Sequence, residues 1–198
     1  MNVLGVEFDS KLTWSTHISK QISKANKALH AIRMIKKYFT QEEILVLITS
    51  NFYSILFYNS EIWHLPKLKP ELKQLLLSAS AKALKVSQKH PDRMESFVDV
   101  HKHCKRALPE QMIEYKHAIL LHKLYNEHQP VTDWIELNTY QISTSRQTHF
   151  KISRTNVFKI GNNKLTSRLS ILNEKILLQD LNLSLDAFKV KYKKLLLK

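Results

Sequence analysis

Two glycines in 198 residues, Gly5 and Gly161, leave this chain few places to turn sharply. Tight two-residue hairpins need backbone at positive φ, which glycine alone adopts at little cost. A chain so poor in glycine is not a succession of hairpins. Its long runs of Leu, Ile and Lys are good helix formers, and its prolines fall between those runs. The predicted fold class is mainly α: a helical bundle with a short N-terminal strand and a small β-hairpin near the C-terminus.

The first helix is expected over about 16–38, where Ile18, Ile22, Ala25, Leu29 and Ile32 step by three and four. Lys20, Lys24 and Lys27 repeat that step on the opposite face. Thr40-Gln41-Glu42-Glu43 has the capping-box pattern, opening a helix to about Ile62 that is apolar on nearly every side. Leu65 to Pro70 reads as a linker, with Pro70 placed to start a third helix burying Leu72, Leu75, Leu76, Ala79 and Ala83. Lys89-His90-Pro91-Asp92 is a candidate hinge, so two regions are expected, 1–89 and 90–198. The second holds a short helix, a long one over 109–126, and a weakly patterned stretch over 129–145. Two strands follow, Phe150/Ile152 and Phe158/Ile160, closed by Gly161-Asn162-Asn163. A final helix is capped by Ser184 and turns Phe188, Tyr192 and Leu195 inward.

Charge narrows the function classes. The net charge is +14 and the sequence pI about 9.8. No acid lies between Asp9 and Glu42, where Lys11, Lys20, Lys24, Lys27, Arg33, Lys36 and Lys37 fall. None lies between Glu136 and Glu174, which enclose Arg146, Lys151, Arg154, Lys159, Lys164 and Arg168. Two such blocks form either a positive surface facing a polyanion or a solvated basic face. One cysteine, Cys104, excludes an internal disulfide and suits a reducing, intracellular compartment, cytoplasmic or nuclear. The longest uncharged stretch, 44–60, is too short and too polar to span a bilayer. No signal peptide is read at Met1, and no membrane partner is expected.

The most specific string is Leu4-Gly5-Val6-Glu7-Phe8-Asp9-Ser10-Lys11-Leu12-Thr13-Trp14-Ser15-Thr16-His17-Ile18. By residue type it is a strand over 4–8, where Gly5 allows a close approach or a bulge. A turn at Asp9-Ser10 and a helix capped by Ser15 or Thr16 follow. The ordered string resembles the segment after the polymerase palm of non-LTR (LINE-type, Jockey-like) retrotransposon reverse transcriptases, where an L-G-V turn leads through D-x-x-L-x-W-x-x-H-I into the thumb. Val3 stands where that family usually has an aromatic. Tyr58-Asn59-Ser60-Glu61-Ile62-Trp63 is similar to the family's Y-x-x-x-x-W helix ending, with Asn59 in place of a smaller residue. The tail from Ser184 resembles its closing helix.

The resemblance implies a thumb and post-thumb region that grips template–primer nucleic acid behind the active site. The carboxylates that hold the polymerase metals would lie upstream of Leu4, leaving a bare edge over 4–8. This chain has no adjacent aspartates, so no two-metal polymerase centre is expected from it, and no cofactor. His101-Lys102-His103-Cys104, with His90 nearby, lacks the spacing of a structural zinc site. His117 and His122 lie on a long helix, where His117 shares the inward stripe of Ile113, Leu120 and Leu124 and reads as a core residue. The expected function is therefore a non-catalytic reverse-transcriptase fragment binding RNA or an RNA–DNA duplex. Its candidate contacts are Gly5, Lys11, Lys20, Lys24, Lys27, Arg33, Lys36, Lys37, Arg146, Lys151, Arg154 and Lys159. The alternative is a relic or domesticated helical interaction protein with no nucleic-acid role.

Overall fold

The computed structural model describes residues 1–64, 68–88, 95–126, 176 and 178–196, and the backbone of 135–141 and 148–154. The architecture is mainly α, in two compact units: Met1–Trp63 with Lys67–Gln111, and His64–Pro66 with Met112–Lys198.

The first unit opens with a miniature hairpin rather than a single strand. β1 (Asn2–Val3) and β2 (Val6–Glu7) pair antiparallel with Val3 opposite Val6. The two residues between them, Leu4 at φ 47° and Gly5 at φ 81°, have the double positive φ of a type I′ turn. The Asn2 side chain accepts from the Gly5 N–H at 3.1 Å. The alternation over 4–8 thus marks a turn and one short strand.

α1 (Ser15–Ile35) follows, prolonged by a 3-10 turn over Lys36–Tyr38. Neither Ser15 nor Thr16 caps it. Trp14 holds the cap position at φ 64° without a side-chain bond, because the loop's amides are gathered elsewhere. Asp9 accepts from the N–H groups of Lys11, Thr13 and Trp14 and from the Thr13 hydroxyl. That carboxylate does the work expected of a cap residue. Trp14 is buried edge-on against Phe8, centroids 5.2 Å apart. Ile18, Ala25, Leu29 and Ile32 form the buried stripe, with Ile22 at its margin and His17 and Gln21 added.

Thr40 and Glu43 form the expected capping box at α2 (Gln41–Leu47). The helix then widens into a π segment, Ile48–Tyr53, before α3 (Ser54–Leu56). Apolar residues here recur at intervals of four, Ile44, Ile48, Phe52 and Leu56, flanked by Leu45, Tyr53 and Phe57. In an α-helix each such step drifts by about 40°. The wider π winding cancels that drift and keeps the series inward. The hydroxyl of Thr49 donates to the Leu45 carbonyl at 2.7 Å, and Asn51 donates to that of Leu47 at 3.1 Å, relieving carbonyls where the α ladder is interrupted. The helix expected to reach Ile62 breaks at Asn59, φ 48°, and resumes as α4 (Ser60–Trp63). The Trp63 indole donates to the Tyr58 carbonyl at 2.8 Å across that break.

α5 (Pro70–Ser87) begins at its proline as expected and packs on α1, α2 and the π segment. Leu75, expected inward, is 41% exposed. The buried face widens toward Ser80, Leu84 and Ser87 instead, because α6 (Phe97–His103) packs there. Residues 95–111 group with the first unit. Each large side chain sealed in this core contributes about 1.5–3 kcal/mol.

In the second unit, α7 (Pro109–Asn126), which begins in the first, packs with α8 (Leu178–Leu181) and α9 (Leu185–Leu196). Ala118, Leu121, Leu124, Leu181, Phe188 and Tyr192 close the core. Ser184 caps α9 as expected, but Leu195 is 48% exposed, since Phe188 and Tyr192 already face α7. β3 (Ile135–Gln141) pairs antiparallel with β4 (Thr148–Arg154). The weakly patterned stretch thus contains a strand, and it is the partner of Phe150 and Ile152. Phe158, Ile160 and the Gly161 turn lie outside the described residues.

Candidate nucleic-acid interface

A helix free of acids presents its cations together. Lys20, Lys24 and Lys27 lie on one exposed face of α1, within an arc of about 60° at 100° per residue. Arg33, Lys36 and Lys37 continue the positive charge to the helix end, all exposed. Lys20 is tied to Glu7 on β2, and that bond draws the Glu7 carboxyl below its ordinary range. Such an exposed pair is weak and screened by solvent, so a phosphate can displace it. Lys24 and Lys27 carry no ion pair among the described residues. Lys11 is exposed in the loop organised by Asp9.

Gly5 is positioned by packing as well as by its turn. A Cβ there would stand 3.3 Å from Tyr58 Cε1, and the Tyr58 hydroxyl donates to the Leu4 carbonyl at 3.2 Å. The close approach read from the sequence is therefore to this chain's own aromatic. Beneath the hairpin His17 is buried, and its Nδ1 accepts from the Glu7 N–H at 3.3 Å. Burial pushes the His17 pKa down; Glu7 opposes the shift and Lys24 adds to it.

Arg146 and Lys159 lie outside the described residues. Lys151 and Arg154 stand on β4 opposite Asn138 and Ile135, and their side chains lie outside the described set.

Two features escaped the sequence reading. An open groove of about 900 Å³ is lined by Lys36, Lys37, Tyr38, Phe39, Val86 and Gln88, among others. Its signal was present in Lys36-Lys37-Tyr38-Phe39, two cations followed by two aromatics at a helix end. The other is a buried relay. The Tyr53 hydroxyl is 2.8 Å from Ser80 Oγ, which is 2.8 Å from His101 Nε2, while His101 Nδ1 is 2.7 Å from the Phe97 carbonyl. The carbonyl requires a proton on Nδ1, so Nε2 accepts from Ser80 and Ser80 accepts from Tyr53. Desolvation lowers the His101 pKa and pushes Tyr53 up to about 12. Sealed from solvent, this Ser–His pair cannot meet a substrate and serves the core.

The other ligand-type residues point apart. His103 is exposed near Glu95, Cys104 is buried beside Gln88, and His90 lies outside the described residues. Among the described residues no group of three His, Cys, Asp or Glu is placed to hold a metal, and no helix is long and apolar enough to cross a membrane. His117 and His122 are buried on α7, and His122 donates to the Leu183 carbonyl at 2.8 Å.

No family model, curated protein or solved structure matches this chain.

Proposed function

We propose that this chain binds an RNA-containing duplex through its phosphates, as the thumb and post-thumb part of a non-LTR retrotransposon reverse transcriptase, without catalysing polymerisation itself. The observation that carries the reading is the acid-free α1, with Lys20, Lys24 and Lys27 on one exposed face. Flexible ammonium groups on a rigid helix suit phosphate rows flanking a wide, shallow minor groove, where backbone and not base sequence is recognised.

Counterion release supplies the test. With about six phosphates engaged, affinity for an RNA–DNA hybrid falls on the order of a thousandfold between about 50 and 200 mM salt. Base sequence matters little, and a hybrid competes at least as well as B-DNA of equal length. Changing Lys20, Lys24 and Lys27 together to Gln flattens the salt slope by about three units or fewer. A triple variant that binds like the parent defeats the proposal. So does a parent with no salt-sensitive binding.

A second reading, a helical interaction protein with no nucleic-acid role, draws on the apolar side chains left outside. Met1 and Leu4 are each 85% exposed on the hairpin. Loss of salt-sensitive binding would leave this reading standing.

A further inference from the structure

We infer that the groove at the end of α1 is a subsite for an unpaired nucleotide strand, one base stacking on Tyr38 and the adjoining phosphates meeting Lys36 and Lys37. The inference rests on the duplex-binding reading and adds a second, single-stranded contact to it.

Four observations converge. The Tyr38 ring is 73% exposed and Phe39 beside it 41%. Side chains of this size are usually buried, and here they line an open concavity. The Lys37 ammonium lies 4.8 Å from the Tyr38 ring centroid. It occupies one face of the ring as a cation–π partner and leaves the other for a base. Among the described residues no carboxylate lines the groove; Glu43, one turn onward, keeps its carboxylate on the Thr40 N–H and hydroxyl.

The fourth observation concerns Gln88. Gln88 lines the groove while only 7% exposed, and its Oε1 is buried without a hydrogen-bond partner. The amide nitrogen has only the Cys104 sulfur, at 3.9 Å. An orphaned amide acceptor is costly to leave unmade. Rotated toward the groove, that acceptor would meet the imide N–H of a thymine or uracil. A π-face, two cations and one acceptor are the elements by which single-stranded nucleic acid is held with little sequence preference. The groove's volume falls within the ~300–1,000 Å³ of pockets that enclose small organic ligands, enough for a base with its sugar.

The experiment uses the full 198-residue chain and three probes. One is a blunt RNA–DNA hybrid, one the same hybrid with a short oligothymidine extension, and one with an abasic extension of equal charge. The readout is the ratio of each extended probe's affinity to that of the blunt one. The oligothymidine extension is expected to raise affinity about tenfold, the abasic one much less. Tyr38→Ala, at an exposed site, brings the oligothymidine ratio close to one, and Gln88→Leu lowers it. The groove assignment is overturned if the blunt hybrid binds and the bases add nothing, or if Tyr38→Ala leaves the ratio unchanged. In those cases the duplex reading survives. If neither blunt nor extended hybrid binds, the duplex reading itself fails and takes this one with it.

Discussion

The Ser80 hydroxyl stands 2.8 Å from His101 Nε2 with both side chains sealed from solvent. That hydrogen bond ties α5 to α6, and Tyr53 extends it to the π segment.

Ser80 should therefore matter more than its size suggests. Ser80→Ala strands the Tyr53 hydroxyl and His101 Nε2 together, at a cost of about 1–3 kcal/mol for each unsatisfied group. Tyr53→Phe removes only the outer donor and leaves the Ser80–His101 bond intact. Urea unfolding should rank Ser80→Ala clearly below Tyr53→Phe. Equal losses would mean the relay is not a chain.

Acid should weaken the fold before its carboxylates titrate. Burial holds the pKa values of His101 and His17 below the ordinary 6.5. The unfolded chain then takes up protons first, so the stability these groups contribute is full above 6.5 and is lost as pH falls through their lowered values. Thermal midpoints should be level near neutrality and decline below 6.5. His101→Gln, less stable throughout, should show a shallower decline.

Gly5→Ala tests the hairpin against Tyr58. The left-handed φ alone costs an L-residue about 1–2 kcal/mol, and the new methyl must also displace the ring 3.3 Å away. In a Tyr58→Ala background the second cost disappears. A double-mutant cycle by chemical denaturation should show positive coupling between the two sites. Strict additivity would mean the ring moves aside freely.

What the sequence disclosed followed from which forces act locally. The α1 stripe, the Thr40–Glu43 capping box, Pro70 at a helix start and the Ser184 cap depend on neighbours within a few positions, and each stands as read. Leu75 and Leu195 were misjudged because periodicity gives a face but not its width, which is set by the helix that arrives to cover it. The π segment hid behind a run apolar on every side. Tyr53, Ser80 and His101 are 21 and 27 residues apart along the chain, and no spacing rule joins them. Of the candidate interface, the lysine face of α1 was legible from charge and period together. The groove required Val86 and Gln88 to come up beside Tyr38, a tertiary event.

Zinc should not be retained. His101 is committed to Ser80 and Phe97, and Cys104 is buried in a different direction from exposed His103. Equilibrium dialysis against zinc should leave no stoichiometric metal, and chelator should not shift the thermal midpoint. A bound equivalent lost in Cys104→Ser would reverse that conclusion.

The wide turn over Ile48–Tyr53 is equivalent to one surplus residue absorbed within a helix. Deleting a residue there lets the segment rewind as ordinary α-helix, with Ile44 and Leu56 near their present bearings. The same deletion within α1 or α5 would turn everything beyond it by about 100° and pull the buried stripe out of the core. The described residues thus include a place where the chain's length can change by a single codon while the helix on either side keeps its bearing.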